Sequence, residues 1–427
     1  MQYPSFPCGA RCVFLFLLIV CAVGPLLGCT SKAVTEKPVI VVEKPKPPSA
    51  VPMWLGNPTR SFFGTGPMPK TLKVYWDFKT SSTRGRLHPD PWGGSGWPGQ
   101  PAIVGDRVYF GSADSYVYCV NKTDGSLIWK FKTTDSAKSS PCVVGDRLVI
   151  GNLDHTVYCL NTNDGSLVWK YQTGFETDSS SSIIGDRVYI GGEDHFYYCF
   201  DLNDGKIIFK TQLGGSVEGG TTVVGERIYV GTEAGDLLCL NRNDGSIIWK
   251  ARIGADSNST PAVVNGFVYT AAEDGIVRCY KEENGELVWT YKAEGGLNQK
   301  TKEKNGFWAS PIVTNGRVYI GCNSGYLYCL SADKGELIWR HLVRAAIWGT
   351  SPVVDDRVVF GDKSGYVYEL NADNGDLVCE LKIGDNVDAT PAVLDGRIYV
   401  GAFNGKFYCL GPEPTPPSST PTGKPVP

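Results

Sequence analysis

The sequence predicts an all-β protein, an eight-bladed β-propeller in which four antiparallel strands form each blade. Three observations support this prediction. The phrase "RVYxG", or a close variant, recurs eight times in steps of 40 residues, with a single step of 50. Each unit contains four short runs rich in Val, Ile, Tyr and Trp, and most units place Asp-Gly or Asn-Gly between the last two runs. Units of this size are typical of propeller blades, whereas the rungs of a parallel β-helix are much shorter.

One unit shows the expected strand order. In residues 140–171, "PCVV" is strand A, "LVIGN" strand B, "VYCL" strand C and "LVWKY" strand D. The last unit stops after its strand C, whereas "TLKVYWDFKT" at 71–80 precedes the first unit and reads like a strand D. We therefore expect the N-terminal strand to join the last blade and close the ring, since this pairing leaves no open sheet edge at the seam.

The repeated residues have structural explanations. Glycine in the turn between strands C and D supplies a positive φ. The aromatic residue on strand D is expected to dock each blade onto its neighbour, with Phe209 and Cys379 substituting in two blades. The predicted docking residues are Trp76, Trp129, Trp169, Trp249, Trp289 and Trp339. Seven blades carry a cysteine at one strand-C position, where the eighth has Glu369. Because neighbouring blades lie about 10 Å apart and a disulfide spans about 7 Å, we interpret these cysteines as small buried hydrophobic residues.

The N-terminus, residues 1–28, is predicted to be a lipoprotein signal peptide. The apolar run "CVFLFLLIVCAVG" has the length of a signal h-region and is short for a membrane span. The run is followed by "LLGC", which resembles a bacterial lipobox, so Cys29 is the predicted lipid attachment site. Thr30 after this cysteine favours the outer membrane. An ordinary signal peptide with an incidental cysteine, or an uncleaved anchor, are the alternatives.

Composition divides the remainder of the chain. Residues 29–52 form a Pro/Lys-rich tether, residues 53–410 the propeller, and residues 411–427 a Pro-rich tail predicted to be disordered. The chain has 41 basic and 44 acidic residues, giving a net charge of −3, and no basic stripe is visible. The sequence therefore argues against a nucleic-acid partner.

Tryptophans that the repeat does not require mark a candidate binding surface. They lie in connections from strand D to the next strand A, which emerge on one face and enter consecutive blades of the closed ring. The predicted surface consists of Trp92, Trp97, Phe307, Trp308, Trp348 and Asp388. It would dock an extended peptide, a glycan or a partner loop. The alternative is that these tryptophans only pack the long connections 81–100 and 292–310 over the core.

The units resemble the PQQ-like, quinoprotein-type propeller repeat. The stretches "EDGIVRCYKEENGELVWT" at 273–290 and "NSGYLYCLSADKGELIWR" at 323–340 carry the resemblance. It implies one of two branches: quinoprotein dehydrogenases, which bind PQQ and calcium, or lipoprotein scaffolds that help outer membrane proteins insert. The dehydrogenases stack the quinone on a disulfide of two adjacent cysteines, and the sequence contains no Cys-Cys pair. We therefore expect no enzymatic activity, and neither PQQ nor calcium as cofactor.

The sequence thus predicts a non-catalytic interaction scaffold, lipid-anchored in the bacterial envelope at the outer membrane and facing the periplasm. Its expected partner is a protein of outer membrane protein assembly. A ligand-binding or sensory propeller with a small ligand is the alternative, and a divergent PQQ-dependent dehydrogenase ranks below both. The sequence contains no P-loop, nucleophile elbow or HExxH motif. His155 and His195 are interpreted as tolerated turn residues.

Overall fold

The structure, a computed structural model, describes residues 49–80, 99–294 and 305–412. The predicted signal peptide, Cys29, most of the tether and the tail from residue 413 lie outside the described residues, as do Trp92 and Trp97. Within the described ranges, no helix has the length and apolar character needed to cross a bilayer.

Eight four-stranded antiparallel sheets make up the described part of the chain. The chain enters through β1 (Lys73–Lys79), ahead of all other strands. Blade 1 consists of β2 (Ala102–Val104), β3 (Arg107–Ser112), β4 (Tyr116–Asn121) and β5 (Leu127–Lys132), and blade 2 of β6 (Cys142–Val144), β7 (Arg147–Asn152), β8 (Thr156–Asn161) and β9 (Leu167–Gln172). Blade 3 consists of β10 (Ser182–Ile184), β11 (Arg187–Gly191), β12 (Phe196–Asp201) and β13 (Ile207–Gln212), and blade 4 of β14 (Thr222–Val224), β15 (Arg227–Gly231), β16 (Asp236–Asn241) and β17 (Ile247–Arg252).

Blades 5 to 8 complete the ring. Blade 5 consists of β18 (Ala262–Val264), β19 (Phe267–Ala271), β20 (Ile276–Lys281) and β21 (Leu287–Lys292), and blade 6 of β22 (Ile312–Thr314), β23 (Arg317–Gly321), β24 (Tyr326–Ser331) and β25 (Leu337–Leu342). Blade 7 consists of β26 (Val353–Val354), β27 (Arg357–Gly361), β28 (Tyr366–Asn371) and β29 (Leu377–Lys382), and blade 8 contains β30 (Ala392–Leu394), β31 (Arg397–Ala402) and β32 (Lys406–Gly411). The predicted eight-bladed, all-β propeller is confirmed.

The burial of each strand follows from its place in the blade. The third strand of blade 1, β4, is buried at four consecutive positions because adjacent blades cover both of its faces. The fourth strand, β5, forms the outer edge and buries only Trp129. The hydrophobic core lies between blades: side chains of blade 1 such as Val117 and Trp129 cluster with Leu148 and Tyr158 of blade 2. A register shift next to Cys119 twists the outer strand, a feature that hinders edge-to-edge pairing with other chains.

The ring closes as the sequence predicts. Strand β1 pairs antiparallel with β32, from Lys73 opposite Gly411 to Lys79 opposite Lys406. The last blade therefore has the order β1-β32-β31-β30, with its outer strand supplied by the N-terminal side of the chain.

Each strand-D tryptophan docks its blade onto the next. Trp129 Nε1 donates a hydrogen bond to the Thr162 carbonyl of blade 2, at 2.9 Å. The indole lies over Gly165, which has a φ of 74° and whose added Cβ would come within 2.6 Å of Trp129 Cε3. Only glycine combines this positive φ with the absence of a Cβ that would collide with the indole. The same N–H to carbonyl bond is made by Trp76, Trp169, Trp249, Trp289 and Trp339.

The cysteines of the described residues are unpaired. All ten are free thiols, and nine of them are buried. The strand-C cysteines face the docking residues across the strand pair, as Cys119 does opposite Trp129. Burial raises the pKa of the Cys159 thiol to about 12. These thiols are therefore packed, unreactive side chains, as expected from the repeat spacing.

Candidate ligand-binding site at the propeller axis

One position in the repeat varies from blade to blade although its neighbours are alike. It lies in the connection from strand D to strand A, as in "KSSP" at 138–141, "NSTP" at 258–261 and "WASP" at 308–311. We call the residues at this position the axial ring: Lys138, Asp178, Glu218, Asn258, Trp308, Trp348 and Asp388. The first six of them line one cavity of about 90 Å³. Seven blades thus place basic, acidic, amide and aromatic side chains at one repeat position around a common axis.

A belt of hydrogen bonds between blades holds these connections in place. At six of the eight junctions between blades, the residue at the position equivalent to Ser140 donates its backbone N–H to the hydroxyl of the equivalent residue in the next blade. These bonds are Gln100 to Ser140 (2.8 Å), Ser140 to Ser180 (3.3 Å), Gly220 to Thr260 (2.6 Å), Thr260 to Ser310 (2.8 Å), Ser310 to Thr350 (3.0 Å) and Thr350 to Thr390 (3.0 Å). Because buried N–H groups need acceptors, the belt fixes each ring residue at a defined point around the axis.

Trp54 enters the cavity where the belt of hydroxyls is interrupted. Gly220 carries no side chain, and a Cβ added to it would come within 2.8 Å of Trp54 Cε3. Trp54 is buried and lines the same cavity. The buried guanidinium of Arg60 fixes this segment by donating to the carbonyls of Trp54 (2.5 Å), Thr221 (2.8 Å) and Ser181 (3.1 Å). A residue outside the repeats is therefore built into the site.

The aromatic side of the cavity is a stacked pair. The rings of Trp308 and Trp348 lie 4.3 Å apart at an angle of 27°. Trp308 Nε1 donates to Glu273 Oε1 at 2.6 Å, and Lys363 Nζ lies 3.3 Å from the ring centre of Trp348. Both tryptophans are half-buried, so part of each ring faces solvent. The two described tryptophans of the predicted surface are thus in direct contact at the axis.

Two members of the predicted surface are instead buried. Phe307 has no exposed surface and packs against Tyr328, with ring centres 6.2 Å apart. It precedes Trp308, and successive side chains of an extended segment point to opposite sides, so Phe307 faces the blade. Asp388 occupies the axial-ring position of blade 8 but is also fully buried. Trp92 and Trp97 lie outside the described residues.

The opposite side of the cavity is acidic. Carboxylate oxygens of Asp178, Glu193 and Glu218 all lie within 4.8 Å of one another. Among the described residues, this is the group whose spacing could hold a metal ion. Burial, reinforced by the charge of Asp178, raises the pKa of Glu193 to about 9 and that of Glu218 to about 10. Glu193 is hydrogen-bonded to Asp178. At neutral pH these glutamates therefore hold protons and can donate hydrogen bonds.

The described residues do not fit the quinone site that the resemblance implies for dehydrogenases. Stacking a quinone on adjacent disulfide-bonded cysteines needs such a pair, and all ten described cysteines are free. Trp54, which packs on Gly220, already occupies part of the axial cavity. No quinone-dependent step follows from these residues.

Sequence reasoning missed Lys138, Asp178, Glu218, Asn258 and Trp54. For the first four a signal existed, because they recur at the repeat spacing of Trp308 and vary where adjacent residues do not. Trp54 carries no such signal because it precedes the repeats.

Comparisons with known proteins place this architecture among its relatives. The family described as outer membrane protein assembly factor BamB matches residues 70–206, 193–349 and 295–415. No curated protein matches the sequence. BamB from Moraxella catarrhalis superposes with a TM-score of 0.63 at 17% identity, over 81% of this chain and 99% of its own.

Two enzymes share the fold as well. A europium-containing methanol dehydrogenase superposes with a TM-score of 0.72 at 12% identity, over 86% of this chain and 98% of its own. The quinohemoprotein alcohol dehydrogenase from Comamonas testosteroni superposes with a TM-score of 0.69 at 14% identity, over 87% of this chain and 82% of its own. At such identities the likeness to solved structures shows the fold alone.

Proposed function

We propose that this chain is a non-catalytic interaction scaffold of the bacterial envelope. The proposal starts from its family: the chain belongs to the family described as outer membrane protein assembly factor BamB. Its partner would be a protein of outer membrane protein assembly. The family match extends across the whole repeat region, from residue 70 to residue 415.

The axial ring is the observation that supports this proposal most directly. Repeat positions elsewhere are nearly identical between blades, as "NDGSLVWK" at 163–170 and "NDGSIIWK" at 243–250 illustrate. A scaffold for a specific partner needs one surface that departs from this uniformity. The ring provides it, with the half-buried pair Trp308 and Trp348 as aromatic anchors of the kind that dominate protein interfaces.

The absence of catalysis is part of the proposal. The described cysteines do not form the disulfide on which a quinone would stack, and we propose that neither PQQ nor calcium is a cofactor. Purified protein incubated with PQQ, calcium chloride and an alcohol is expected not to reduce an artificial dye. Dye reduction that requires PQQ would favour a dehydrogenase instead.

The proposed location follows from the sequence pattern at the N-terminus. Cys29 in "LLGC" would carry lipid, and the propeller would face the periplasm from the outer membrane. Metabolic labelling with a palmitate analogue tests this step: label should enter the wild-type protein and be absent from the Cys29→Ser variant.

Crosslinking in the membrane tests the partner. Tagged protein is crosslinked mildly, extracted in detergent and analysed by mass spectrometry. We expect a β-barrel protein of the outer membrane among the products, and about tenfold less of it with the Trp308→Ala/Trp348→Ala double variant. Phe175→Ala is the matched control, because Phe175 is a 48% exposed aromatic in another strand D-to-A connection, outside the ring.

Two results would contradict the scaffold. One is recovery of no envelope protein, and the other is recovery that the double variant leaves unchanged. The first result would favour the alternative function, a ligand-binding or sensory propeller, which the axial cavity and its aromatic pair support.

A further inference from the structure

We propose that the axial cavity binds a polyhydroxylated ligand, one sugar ring, between the Trp308–Trp348 pair and the carboxyl groups around Asp178. This site goes beyond the scaffold function, since it requires no protein partner. It rests on the hydrogen-bonding groups of the cavity, on its aromatic side and on its size.

The cavity contains hydrogen-bonding atoms of both kinds that lack a protein partner. Among the described residues, the Trp54 Nε1–H donates to no acceptor, and Asp178 Oδ1 and Asn258 Oδ1 accept from no donor. All three residues line the cavity. A buried polar atom without a partner is costly, so these atoms indicate a ligand or ordered water. A cation would satisfy only the two oxygens and an anion only the N–H, whereas a hydroxyl group accepts and donates.

The charges around the cavity also favour a neutral ligand. Lys138 stands beside Asp178 in the axial ring, and its charge opposes the rise in the Asp178 pKa that burial causes. Glu193 and Glu218 are protonated at neutral pH because burial and neighbouring carboxyl groups raise their pKa values to about 9 and about 10. Protonated carboxyl groups are both donors and acceptors, and they match sugar hydroxyls better than they match an ion.

The aromatic side suits the apolar face of a sugar ring. Trp308 and Trp348 line the cavity across the axis from Asp178 and Glu218 in the order of blades. Aromatic rings bury C–H surface while the hydroxyls at the ring edge remain available for polar partners. The ligand is thus expected to place its C–H face on the tryptophans and its hydroxyl edge toward the carboxyl groups.

The size of the cavity limits the ligand to one ring or one chain end. Its volume of about 90 Å³ has room for roughly six to nine water-sized groups. Part of one sugar ring fits this space, with the remaining edge at the mouth. Both a free monosaccharide and the terminal ring of a glycan chain have this chemistry.

The experiment titrates the folded protein with D-glucose, N-acetyl-D-glucosamine and chitotriose, and follows tryptophan fluorescence and heat. Trp54, Trp308 and Trp348 report on the cavity directly. We expect saturable quenching by at least one of the three sugars, and no quenching by sorbitol, which has hydroxyls but no ring face. Tighter binding of chitotriose than of N-acetyl-D-glucosamine would indicate the end of a glycan chain, and equal binding a free sugar.

Variants assign the response to the cavity. Asp178→Ala and Asn258→Ala each remove a proposed hydrogen-bond acceptor and should weaken binding about tenfold, while Glu283→Gln, an exposed position in a turn between strands C and D, should not. Unchanged melting temperatures without sugar establish that the variants fold. Binding that survives both cavity variants would overturn the proposal.

Other results would overturn it as well. They are the absence of saturable quenching with all three sugars, or quenching and thermal stabilisation by calcium chloride alone, which would make the carboxyl groups a cation site. Crosslinking to an envelope protein is measured separately, so the sugar site can fail while the scaffold function stands.

Discussion

Glu369 lies opposite Cys379 in blade 7, at the register position where every other blade pairs a cysteine with an aromatic ring. In those blades the ring rests on a glycine in the next turn between strands C and D. Blade 8 has no such turn, because its outer strand β1 is not continuous with β32. Leu72 and Met68 pack in the same cluster as Cys379 instead. The exception in blade 7 therefore follows from the way the ring closes.

The first prediction concerns Glu369, which is fully buried. Burial raises its pKa from 4.5 to about 7. The folded state then holds a proton that the unfolded state releases, so the stabilising contribution is present below pH 4.5 and is lost as the pH rises through about 7. Glu369→Gln removes the charge and should stabilise the protein at pH 8.5 by up to about 3 kcal/mol, with little effect at pH 4. Urea unfolding at both pH values measures the difference. Equal effects of Glu369→Gln at the two values would contradict the buried charge, and exposed Glu283→Gln serves as control.

The second prediction concerns the contact between Trp129 and Gly165. Gly165→Ala forces a left-handed φ on alanine and drives its Cβ to within 2.6 Å of the indole, and it should destabilise the protein by about 3 kcal/mol or more. Gly145→Ala is the matched control: Gly145 has a φ of 59°, and nothing lies within 4 Å of its added Cβ. The control should cost only about 1–2 kcal/mol. If thermal unfolding gives equal losses for the two variants, the docking contact does not stabilise the ring.

The third prediction concerns the closure strand. Lys79 and Lys406 are paired across the seam, so cysteines at both positions should form a disulfide that encloses almost the entire ring. The enclosed loop is long, and the crosslink should stabilise the oxidised protein by about 5 kcal/mol relative to the reduced protein. Urea unfolding of both forms at pH 6, where thiol exchange is slow, provides the measurement.

The same crosslink inside one blade is the control for the seam. Tyr116 and Lys132 occupy the equivalent register position in blade 1, where the loop is short. The disulfide of the Tyr116→Cys/Lys132→Cys variant should contribute only about 3 kcal/mol. A seam pair that fails to oxidise in the folded protein would show that the ring is not closed by β1.

The fold could be predicted because its determinants are local and repeated. Each strand has its own turn signals, and the unmatched strand 71–80 complements the blade that lacks a fourth strand. The residues that dock neighbouring blades can also be recognised in the sequence, because a tryptophan on strand D and a glycine in the next C–D turn recur at a constant separation. A contact that recurs in nearly every blade leaves the same residues in each repeat, so that the repeat itself predicts the contact.

The site was predicted only in part, because it depends on contacts that do not repeat. The pairing of Trp308 with Trp348 follows from the ring order of blades. Glu193 reaches Glu218 from a different kind of turn, and Trp54 reaches Gly220 from outside the repeats. The burial of Phe307 depends on which side of an irregular segment faces the blade, and such a segment has no period from which to read it.

The closure of the ring by β1 and β32 also sets the timing of folding during synthesis. Val74 leaves the ribosome long before Leu410, its partner, and at typical translation rates the delay is on the order of half a minute. Until then blade 8 lacks a strand and β1 has no sheet to join.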